Sequence, residues 1–583
     1  MITFTEDFKI YVLPWISLVV TGYLVWTFYH HVLSALHDKW TTRRLIKKKQ
    51  REREYAFQKL HQRYEMTAKA EKIISLTEDQ LLSELQQRKL SAIEVLEAFI
   101  AKALKETKEY NSVTEFIPQA HLWAAKLDEM PEIKGKLHGL PISVKDNCNV
   151  EGMDSTIGFA KNLHKPQDET CTIVKMLMDL GAVPFCKTNV PQTLFCWGSG
   201  NPIFGETKNS LNPALGPGGS SSGEGSLIAS GGSVFGIGTD AAGSVRIPAH
   251  FCGIACLKPT KMRLSPAGVY SSSAAIVGLS GVAGLMGKSA SFIKKVFQSL
   301  TNNDFQKQYD RLTMPIPWNE NLFSSKRPMR IGYYTNLAYF PVLGDTEDVV
   351  LKAKSALESA GHSLIPVELP DSFEVMKVFA DLVYADGGQF ICKIWKDEPV
   401  ARSAIFHFWM SWIPRSIRVV LAGVMNSNLL PFFYSPRIAT MFRGGAEKSS
   451  DLMLAAGERG KLLQQMATEW EKHNLDLLLC PTFPFAAVPL KDAGYLKPAI
   501  VHTLMWNMFD WPAGVVRFGT ESGKKLQDYN TEGDLFLKWA HQAAQQSVGM
   551  PISVQLVGLP FQEETVLRGM MELQDIYLKN PSQ

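Results

Sequence analysis

The sequence predicts an α/β fold. Short apolar runs of strand length recur along the chain and alternate with longer stretches of helical character, a pattern typical of this class. These runs lie at residues 141–144, 182–185, 234–238, 477–479 and 552–557. At 583 residues, 45% of them hydrophobic, the chain is long enough to bury a large core. Its net charge of +4 is too small to indicate nucleic-acid binding.

The N-terminal region predicts a membrane anchor at residues 10–29. This stretch contains no Asp, Glu, Lys or Arg, and as a helix it rises about 30 Å, the thickness of a hydrocarbon core. Tyr and Trp residues lie towards its two ends, where interfacial aromatic side chains are favoured. A buried or interfacial helix and a cleaved signal peptide are the alternatives. The net acidic residues before the run and the lack of a small-residue cleavage site are atypical of a signal peptide.

A basic segment follows the predicted anchor. Its Lys and Arg residues cluster between positions 43 and 53, and by the positive-inside rule they place the C-terminal side of the anchor in the cytosol. We expect residues 30–74 to form a helical linker and residues 75–583 to form the main domain. Ser75 and Glu78 have the spacing of a capping box at the start of the domain's first amphipathic helix.

The stretch 215–259 is the most informative part of the sequence. It is dense in Gly and Ser, yet Val234, Phe235 and Ile237 interrupt it, and a flexible Gly/Ser linker carries no such apolar residues. Glycine lets the backbone approach a ligand closely, and serine supplies hydroxyls that act as nucleophiles or proton carriers. The stretch therefore predicts a buried loop that forms an active site.

Two parts of this loop, and several segments outside it, resemble the amidase signature family. Within the loop these are G-G-S-S-S-G-E-G-S at 218–226 and G-T-D-A-A-G-S-V-R-I-P at 238–248. Outside it they are G-L-P-I-S-V-K-D at 139–146, G-A-V-P-F-C-K-T-N-V-P-Q at 181–192, N-P-I-F-G-E-T at 201–207 and S-V-G-M-P-I-S-V-Q-L-V-G at 547–558. The resemblance spans residues 77–573 and implies a large mixed β-sheet flanked by many helices. Segments 251–260 and 509–516, with the N-terminal apolar stretch, are most similar to the membrane-bound fatty acid amide hydrolases.

The resemblance implies a catalytic relay of Lys145, Ser220 and Ser244. Ser244 would be the nucleophile, Ser220 a bridging hydroxyl and Lys145 the general base. Elementary chemistry agrees, because serine is a weak nucleophile that needs a base, and burial lowers the pKa of lysine from its reference value of about 10.4. The expected reaction is attack of Ser244 on an amide carbonyl, followed by hydrolysis of the acyl-serine.

Backbone N–H groups of the loop are the expected oxyanion donors, since small side chains leave the backbone bare for the substrate. The residues expected to form the oxyanion hole or contact the substrate are Ala241, Ala242, Gly243, Ser244, Leu194 and Ser220. Close relatives usually carry Ile-Gly in place of Ala241-Ala242, and glycine in place of Ser222. These departures bear on substrate preference and rate. Asp240 and Arg246 flank the loop, and we expect a structural ion pair.

Other loop types fit the same stretch less well. Residues 219–223 formally match the nucleophile elbow G-x-S-x-G, but that motif follows an apolar strand, and here Pro and Gly precede it. A phosphate-binding loop requires Gly-Lys-Ser/Thr after the glycines, and no lysine follows. A Gly/Ser-rich turn without chemistry fits the loop alone but not the ordered set of motifs around it.

Residues 404–434 predict a membrane-binding cap. The segment is rich in Phe, Trp and Leu, is broken by Pro414 and Pro431, and carries only Arg415 and Arg418 as charged residues. Two short amphipathic helices lying in a membrane interface have this composition, and the position matches the cap of fatty acid amide hydrolases. Core or dimer-interface helices are the alternative.

An acyl chain also needs an apolar channel to bind in. The candidates for the wall of this channel are Leu194, Phe195, Trp197, Ile500, Leu504 and Phe536.

The leading hypothesis is a membrane-bound serine hydrolase of fatty acid amides, both N-acylethanolamines such as anandamide and primary amides such as oleamide. The resemblance implies a homodimer and no metal or organic cofactor. We expect a single-pass protein of an endomembrane, the endoplasmic reticulum, with its catalytic domain in the cytosol and in contact with membrane lipids. The alternatives are an amidase for small non-lipid amides, an amidotransferase subunit, or a weakly active, membrane-tethered lipid-binding protein.

Overall fold

The computed structural model describes residue 21 and residues 34–271, 278–279, 281–302, 305–427 and 430–579. Within these residues an 11-stranded sheet has the order β1-β3-β2-β4-β6-β5-β10-β11-β9-β7-β8. Its strands are β1 Val113–Phe116, β2 Pro141–Lys145, β3 Val183–Thr188, β4 Phe235–Asp240, β5 Ala255–Lys258, β6 Val282–Gly287, β7 Arg330–Tyr333, β8 Ser363–Pro366, β9 Leu477–Pro481, β10 Ala513–Thr520 and β11 Pro551–Val557.

The sheet is mixed, as the family resemblance implies. Strand β2 runs parallel to β3 and β4, and β7 runs parallel to β8 and β9. The other pairs are antiparallel. All five apolar runs singled out in the sequence overlap strands, two of them starting one residue before the strand, and the prediction of an α/β fold is confirmed. These strands are buried along their whole length, which is why their sequences are continuous apolar runs rather than alternating ones.

Helices account for much of the rest of the described chain. The first ten are α1 Ser34–Arg63, α2 Ala68–Ile74, α3 Glu78–Gln86, α4 Ala92–Tyr110, α5 Ala120–Glu129, α6 Thr172–Asp179, α7 Ser222–Ala229, α8 Arg246–Cys252, α9 Ala290–Thr301 and α10 Phe305–Tyr309. The others are α11 Glu320–Ser324, α12 Thr346–Ser359, α13 Ser372–Val383, α14 Gln389–Trp395, α15 Ile405–Trp412, α16 Arg415–Met425, α17 Pro436–Arg443, α18 Ser449–His473, α19 Val501–Met508, α20 Leu535–Ala544 and α21 Glu563–Lys579. Contrary to the sequence prediction, the Gly/Ser stretch 215–259 is not a loop throughout, because it contains α7, β4, α8 and β5. Helix α8 packs on β10 and β11 and so holds this stretch against the sheet.

The basic segment is helical over α1 and α2, and α1 is docked on the domain. Lys49 Nζ lies 2.6 Å from Glu115 Oε1 and 3.5 Å from Asp154 Oδ2. Arg53 donates hydrogen bonds to the carbonyls of Val113 and Thr114 at the start of the sheet. Part of this predicted linker is therefore fixed to the domain that it precedes.

The capping box lies two residues later than the sequence analysis places it. Thr77 caps α3, its hydroxyl accepting from Gln80 N while the Gln80 side chain accepts from Thr77 N. Ser75 instead ends α2, and its hydroxyl donates to the carbonyl of Lys72. The assignment of Ser75 and Glu78 was wrong because both four-residue windows satisfy the same spacing.

The predicted anchor at residues 10–29 lies outside the described residues, apart from residue 21. Among the described helices, none combines the length and the apolar character that crossing a bilayer requires.

The 404–434 segment folds into two short helices, α15 and α16, separated at Pro414. A 3-10 turn, Pro431–Phe433, follows them. Several large apolar side chains of this segment are exposed: Trp409 (52%), Trp412 (58%), Val420 (68%) and Phe432 (64%). Arg418 points inward, where its guanidinium donates to the carbonyls of Ile413, Phe442 and Gly444.

Candidate active site

Two neighbouring parallel strands bring the candidate base and the Gly/Ser loop together. Lys145 is the last residue of β2, and Asp240 is the last residue of β4. Because β2 and β4 pair in parallel, their carboxyl ends lie at the same edge of the sheet, where ligands bind in open α/β folds. The chain after β4 carries Ser244, and Ser220 comes just before α7.

Lys145 is fully buried and touches one of the two predicted serines. Its Nζ lies 2.9 Å from Ser220 Oγ, 2.8 Å from Thr239 Oγ1 and 3.2 Å from the Thr239 carbonyl oxygen. Burial lowers the pKa of Lys145 to about 7, although nearby acids, among them Asp240 and Glu224, act in the opposite direction. A substantial fraction of this lysine is therefore a neutral amine near pH 7, and a neutral amine can accept a proton.

The hydrogen bonds around Lys145 identify where that proton comes from. The Thr239 carbonyl can only accept, and the Thr239 hydroxyl already donates its proton to Asn147 Oδ1 at 3.3 Å. The orientation of the Asn147 amide is fixed, because its Nδ2 donates to the Tyr270 carbonyl at 2.9 Å. Of the three partners, Ser220 is thus the one that can turn its hydroxyl proton towards the lone pair of a neutral Lys145.

Ser244 reaches the same cavity without completing the relay. It is half-buried and lines the cavity together with Ser220. Its backbone carbonyl accepts from Ser221 N at 3.0 Å, which ties the two halves of the loop together. Within the described residues, Ser244 Oγ makes no hydrogen bond. The structure therefore brings Lys145 and Ser220 into contact and places Ser244 beside them, but leaves the Ser220–Ser244 link open.

The backbone of residues 241–244 supplies free donors at three of the four expected positions. The N–H groups of Ala241, Ala242 and Ser244 meet no acceptor among the described residues. The expectation for Gly243 differs from the structure, because its N–H donates to Asp240 Oδ1 at 2.7 Å. Gly243 has φ +123°, and a Cβ there would lie 2.3 Å from Thr503 Oγ1, so glycine is required for the fold of the loop.

A buried ion pair holds the loop in place. Arg246 Nε and Nη2 each lie 3.0 Å from a carboxylate oxygen of Asp240, and both side chains are fully buried. Arg246 Nη1 also donates to Gln555 Oε1 at 2.7 Å, while Asn507 Nδ2 donates to Asp240 Oδ1 at 2.9 Å. Although burial acts to raise the pKa of Asp240, the Arg246 guanidinium outweighs it and holds that pKa well below the usual range. This geometry matches the structural ion pair expected from the sequence.

The two serines open into a cavity of about 270 Å³ with a mainly apolar wall. Four of the predicted wall residues line it: Leu194, Phe195, Trp197 and Ile500. The other two, Leu504 and Phe536, are buried core residues outside this lining. Leu194 has φ +66°, unusual for a branched residue, and backbone strain of this kind concentrates at functional sites.

Metal-ligating side chains form no cluster in the part of the chain that the structure describes. No group of three or more His, Cys, Asp or Glu residues is placed there to hold an ion. The eight cysteines are free thiols, and all but Cys392 are buried.

Comparison with known proteins assigns the family. Residues 94–567, most of the chain, match the family model described as Amidase. The chain belongs to the amidase family. The resemblance drawn from its motifs is confirmed, and this amidase is an amide hydrolase.

Individual relatives agree with that assignment. The amidase is 34% identical over 524 residues to fatty acid amide hydrolase 1 of Caenorhabditis elegans, covering 87% of this chain and 89% of the relative. It is 32% identical over 561 residues to fatty-acid amide hydrolase 1 of Sus scrofa, covering 93% and 94%. A solved structure of a fatty acid amide hydrolase superposes with a TM-score of 0.77 at 22% identity, covering 91% of this chain and 94% of that one, and shows the same fold.

Sequence reasoning assigned no role to several residues that complete the site. Thr239 lay within a quoted motif, next to Asp240, but nothing in its spacing showed that it would contact Lys145. Asn507 and Gln555 come from segments more distant in sequence and meet Arg246 only through the fold. Lys497, a cavity-lining residue, had one detectable signal: it is a lysine that precedes the apolar run 498–501.

Proposed function

We propose that this amidase hydrolyses fatty acid amides, both N-acylethanolamines and primary amides, to a free fatty acid and an amine. The observation that carries the proposal is the buried Lys145 in contact with Ser220, which lines a cavity together with Ser244 and the apolar side chains of Leu194 and Phe195. The names of the Caenorhabditis elegans and Sus scrofa relatives support the same substrate class.

In the proposed mechanism, neutral Lys145 accepts the proton of Ser220, and Ser220 Oγ takes the proton of Ser244. Ser244 Oγ forms a bond to the amide carbon as the carbonyl π electrons move onto oxygen. This step requires Ser244 Oγ to turn towards Ser220 when the substrate binds, a tightening that is common between free and substrate-bound enzymes. The free N–H groups of Ala241, Ala242 and Ser244 are the donors for the oxyanion.

Collapse of the tetrahedral intermediate breaks the C–N bond. The proton on the Lys145 ammonium returns through Ser220 to the leaving nitrogen, so an amine departs rather than an amide anion. Water then attacks the acyl-Ser244, giving its proton to the same relay, and the fatty acid leaves as Ser244 is regenerated. Each turnover thus returns every relay proton to its starting position.

The proposal includes a membrane location. Residues 10–29 would anchor the chain in the endoplasmic reticulum membrane, with catalytic domain 75–583 in the cytosol. The exposed aromatic side chains of α15 would lie in the bilayer interface. Phe195 of the cavity wall stacks on His407 of α15, with ring centroids 5.3 Å apart, so the exposed helix and the cavity are in direct contact. A homodimer, implied by the family resemblance, is part of the same proposal.

The first test is release of oleic acid from oleamide and from oleoylethanolamide by the detergent-solubilised enzyme, with Ser244→Ala as the control. Turnover that disappears in the variant supports the proposal. Turnover of acetamide or benzamide alone would favour an amidase for small non-lipid amides. A fluorophosphonate probe separates enzyme from lipid-binding protein, because a hydrolase is labelled at Ser244. A folded protein that neither turns over oleamide nor takes the label refutes the proposal.

A further inference from the structure

A second buried lysine lines the catalytic cavity and is not used by the relay. Lys497 is 3% exposed and lies in the 3-10 turn Lys497–Ile500, on the wall that also carries Phe195. Its Nζ lies 3.0 Å from His407 Nδ1 and 5.8 Å from the ring centroid of Phe195. Among the described residues, no carboxylate comes within ion-pair distance of it. An ammonium group with unused donors therefore faces an apolar cavity.

His407 does not neutralise this charge. Its Nδ1 lies 2.8 Å from the Tyr384 hydroxyl and 3.0 Å from Lys497 Nζ. Imidazole is either neutral or positively charged, so it supplies no negative charge to pair with an ammonium group. Burial, together with the charge of Lys497, keeps the pKa of His407 well below its ordinary value.

The cavity itself supplies no counter-charge either. Asp240 is the one acidic side chain among its described lining residues, and both of its oxygens are engaged by Arg246. Burying a charged group without a partner is costly, and burial accordingly lowers the pKa of Lys497 to about 7. A ligand carboxylate placed beside Nζ would supply the missing charge and accept its free N–H groups.

We propose that Lys497 binds a carboxylate carried by the acyl portion of the substrate, so that this amidase accepts monoamides of long-chain dicarboxylic acids as well as neutral fatty amides. The inference rests on the proposed function and narrows its substrate class. The acyl portion is indicated because Lys497 lies on the same wall as Phe195 and Ile500, whose apolar side chains suit an acyl chain.

The test compares kcat/KM for two sets of primary amides in the full-length enzyme. One set is the monoamides of dodecanedioic and octadecanedioic acids; the other is the neutral amides of the same chain lengths. Lys497→Met removes the charge with little change in length, and Lys497→Arg retains it. Lys491→Met, at an exposed lysine nearby in sequence, is the matched control. N-oleoylglycine places a carboxylate on the amine portion instead.

We expect Lys497→Met to lower the preference for the dicarboxylic monoamide over the neutral amide of matched length by about 10-fold or more. Loss of a hydrogen bond to a charged group weakens binding by about this factor. Lys497→Arg should retain most of the preference, and Lys491→Met all of it. An unchanged ratio in a Lys497→Met enzyme that still hydrolyses oleamide overturns the inference and leaves the proposed function standing. An effect confined to N-oleoylglycine overturns the acyl assignment. If the folded wild-type enzyme turns over none of these amides, both the proposed function and this inference are refuted.

If Lys497→Met does not fold, the same inference is tested on the wild-type enzyme by measuring the ratio of kcat/KM values for the two sets of amides as a function of pH. The ratio of kcat/KM values cancels the titration of Lys145, which both substrates need. The carboxylate ligand stays ionised above pH 6, whereas Lys497 loses its proton as pH rises, so the preference should be high at pH 6 and fall towards pH 9. The other groups facing Lys497 do not titrate in this window: the pKa of His407 lies well below it, and burial raises those of Cys196, to about 11, and Tyr384. A flat ratio overturns the inference.

Discussion

Replacing Lys145 by methionine tests the relay at its base. With a pKa of about 7, about half of Lys145 is neutral at pH 7, whereas a lysine with the ordinary value of 10.5 would be neutral in about one molecule in 3,000. Burial thus supplies the base form that the relay needs. A positioned general base contributes about 10²- to 10⁴-fold to rate, so Lys145→Met should lower kcat/KM for oleamide by that factor. The loss corresponds to about 3–5 kcal/mol of transition-state stabilisation.

The pH profile carries more information than the loss of rate. Lys145 acts as a base only when deprotonated, so wild-type activity should rise with pH through about 7 and then level off. The methionine variant lacks this ascending limb, and its remaining activity should continue to rise in alkaline solution. The pKa of Lys145 is lower in the folded than in the unfolded chain, so its charged form destabilises the folded enzyme below pH 7 and this effect disappears as pH rises towards 10.5. Lys145→Met should therefore gain stability relative to wild type at low pH more than at high pH.

The assay is oleic acid release between pH 5.5 and 9.5, with thermal unfolding measured in the same buffers. Lys49→Met is the matched control, because Lys49 is also a buried lysine, but its Nζ donates to Glu115 Oε1 rather than to a serine of the Gly/Ser stretch. That control should keep the ascending limb near pH 7 even if its melting temperature falls. A folded Lys145→Met enzyme with wild-type kcat/KM, or with the same ascending limb, would refute the assignment of Lys145 as the base.

Two further predictions concern the surroundings of the relay, and a third concerns the predicted membrane cap. Thr239→Val removes an acceptor that stabilises the Lys145 ammonium, so the ascending limb should move down by about one pH unit, while Thr239→Ser should leave it in place. Arg246→Met leaves Asp240 buried and unpaired, and urea denaturation should show a loss of about 3–5 kcal/mol; a loss below 1 kcal/mol would contradict the bracing role. Trp409→Asp with Trp412→Asp should weaken binding of protein lacking residues 1–33 to phospholipid vesicles in a sedimentation assay, and unchanged binding would argue against the membrane cap.

The strands were predictable because they are buried on both faces. A fully buried strand is a short, continuous apolar run, and five such runs fell in β2, β3, β4, β9 and β11. The order of the strands was not predictable from those runs. Strand β10, for example, lies between β5 and β11 although more than 250 residues separate β5 from it, and no local pattern in either strand specifies that pairing.

Chain connectivity also explains which parts of the site the sequence indicated. Lys145, Ser220 and Ser244 lie in long motifs that identify the family, so their proximity was expected even though 75 residues separate Lys145 from Ser220. Thr503 and Gln555 contact Arg246 although they lie 257 and 309 residues from it in the sequence. Hydrogen bonds between residues so far apart produce no recognisable local motif. The open link between Ser220 and Ser244 is a side-chain orientation, which sequence does not specify.

The acidic residues around Lys145 explain why so many neighbouring groups are needed to keep the pKa of this base low. Asp240, Glu224 and Asp146 each act to raise the pKa of Lys145, and three free carboxylates beside it would keep it protonated. Each charge is offset differently. Arg246 pairs with Asp240, Ile157 N–H and Thr156 bond Asp146, and burial raises the pKa of Glu224 to about 7 while Ser143 and Thr188 donate to it. The desolvation of Lys145 prevails because its acidic neighbours are already engaged. The Asp240–Arg246 pair therefore serves the chemistry as well as the fold, and Arg246→Met should raise the pH at which activity appears in addition to lowering stability.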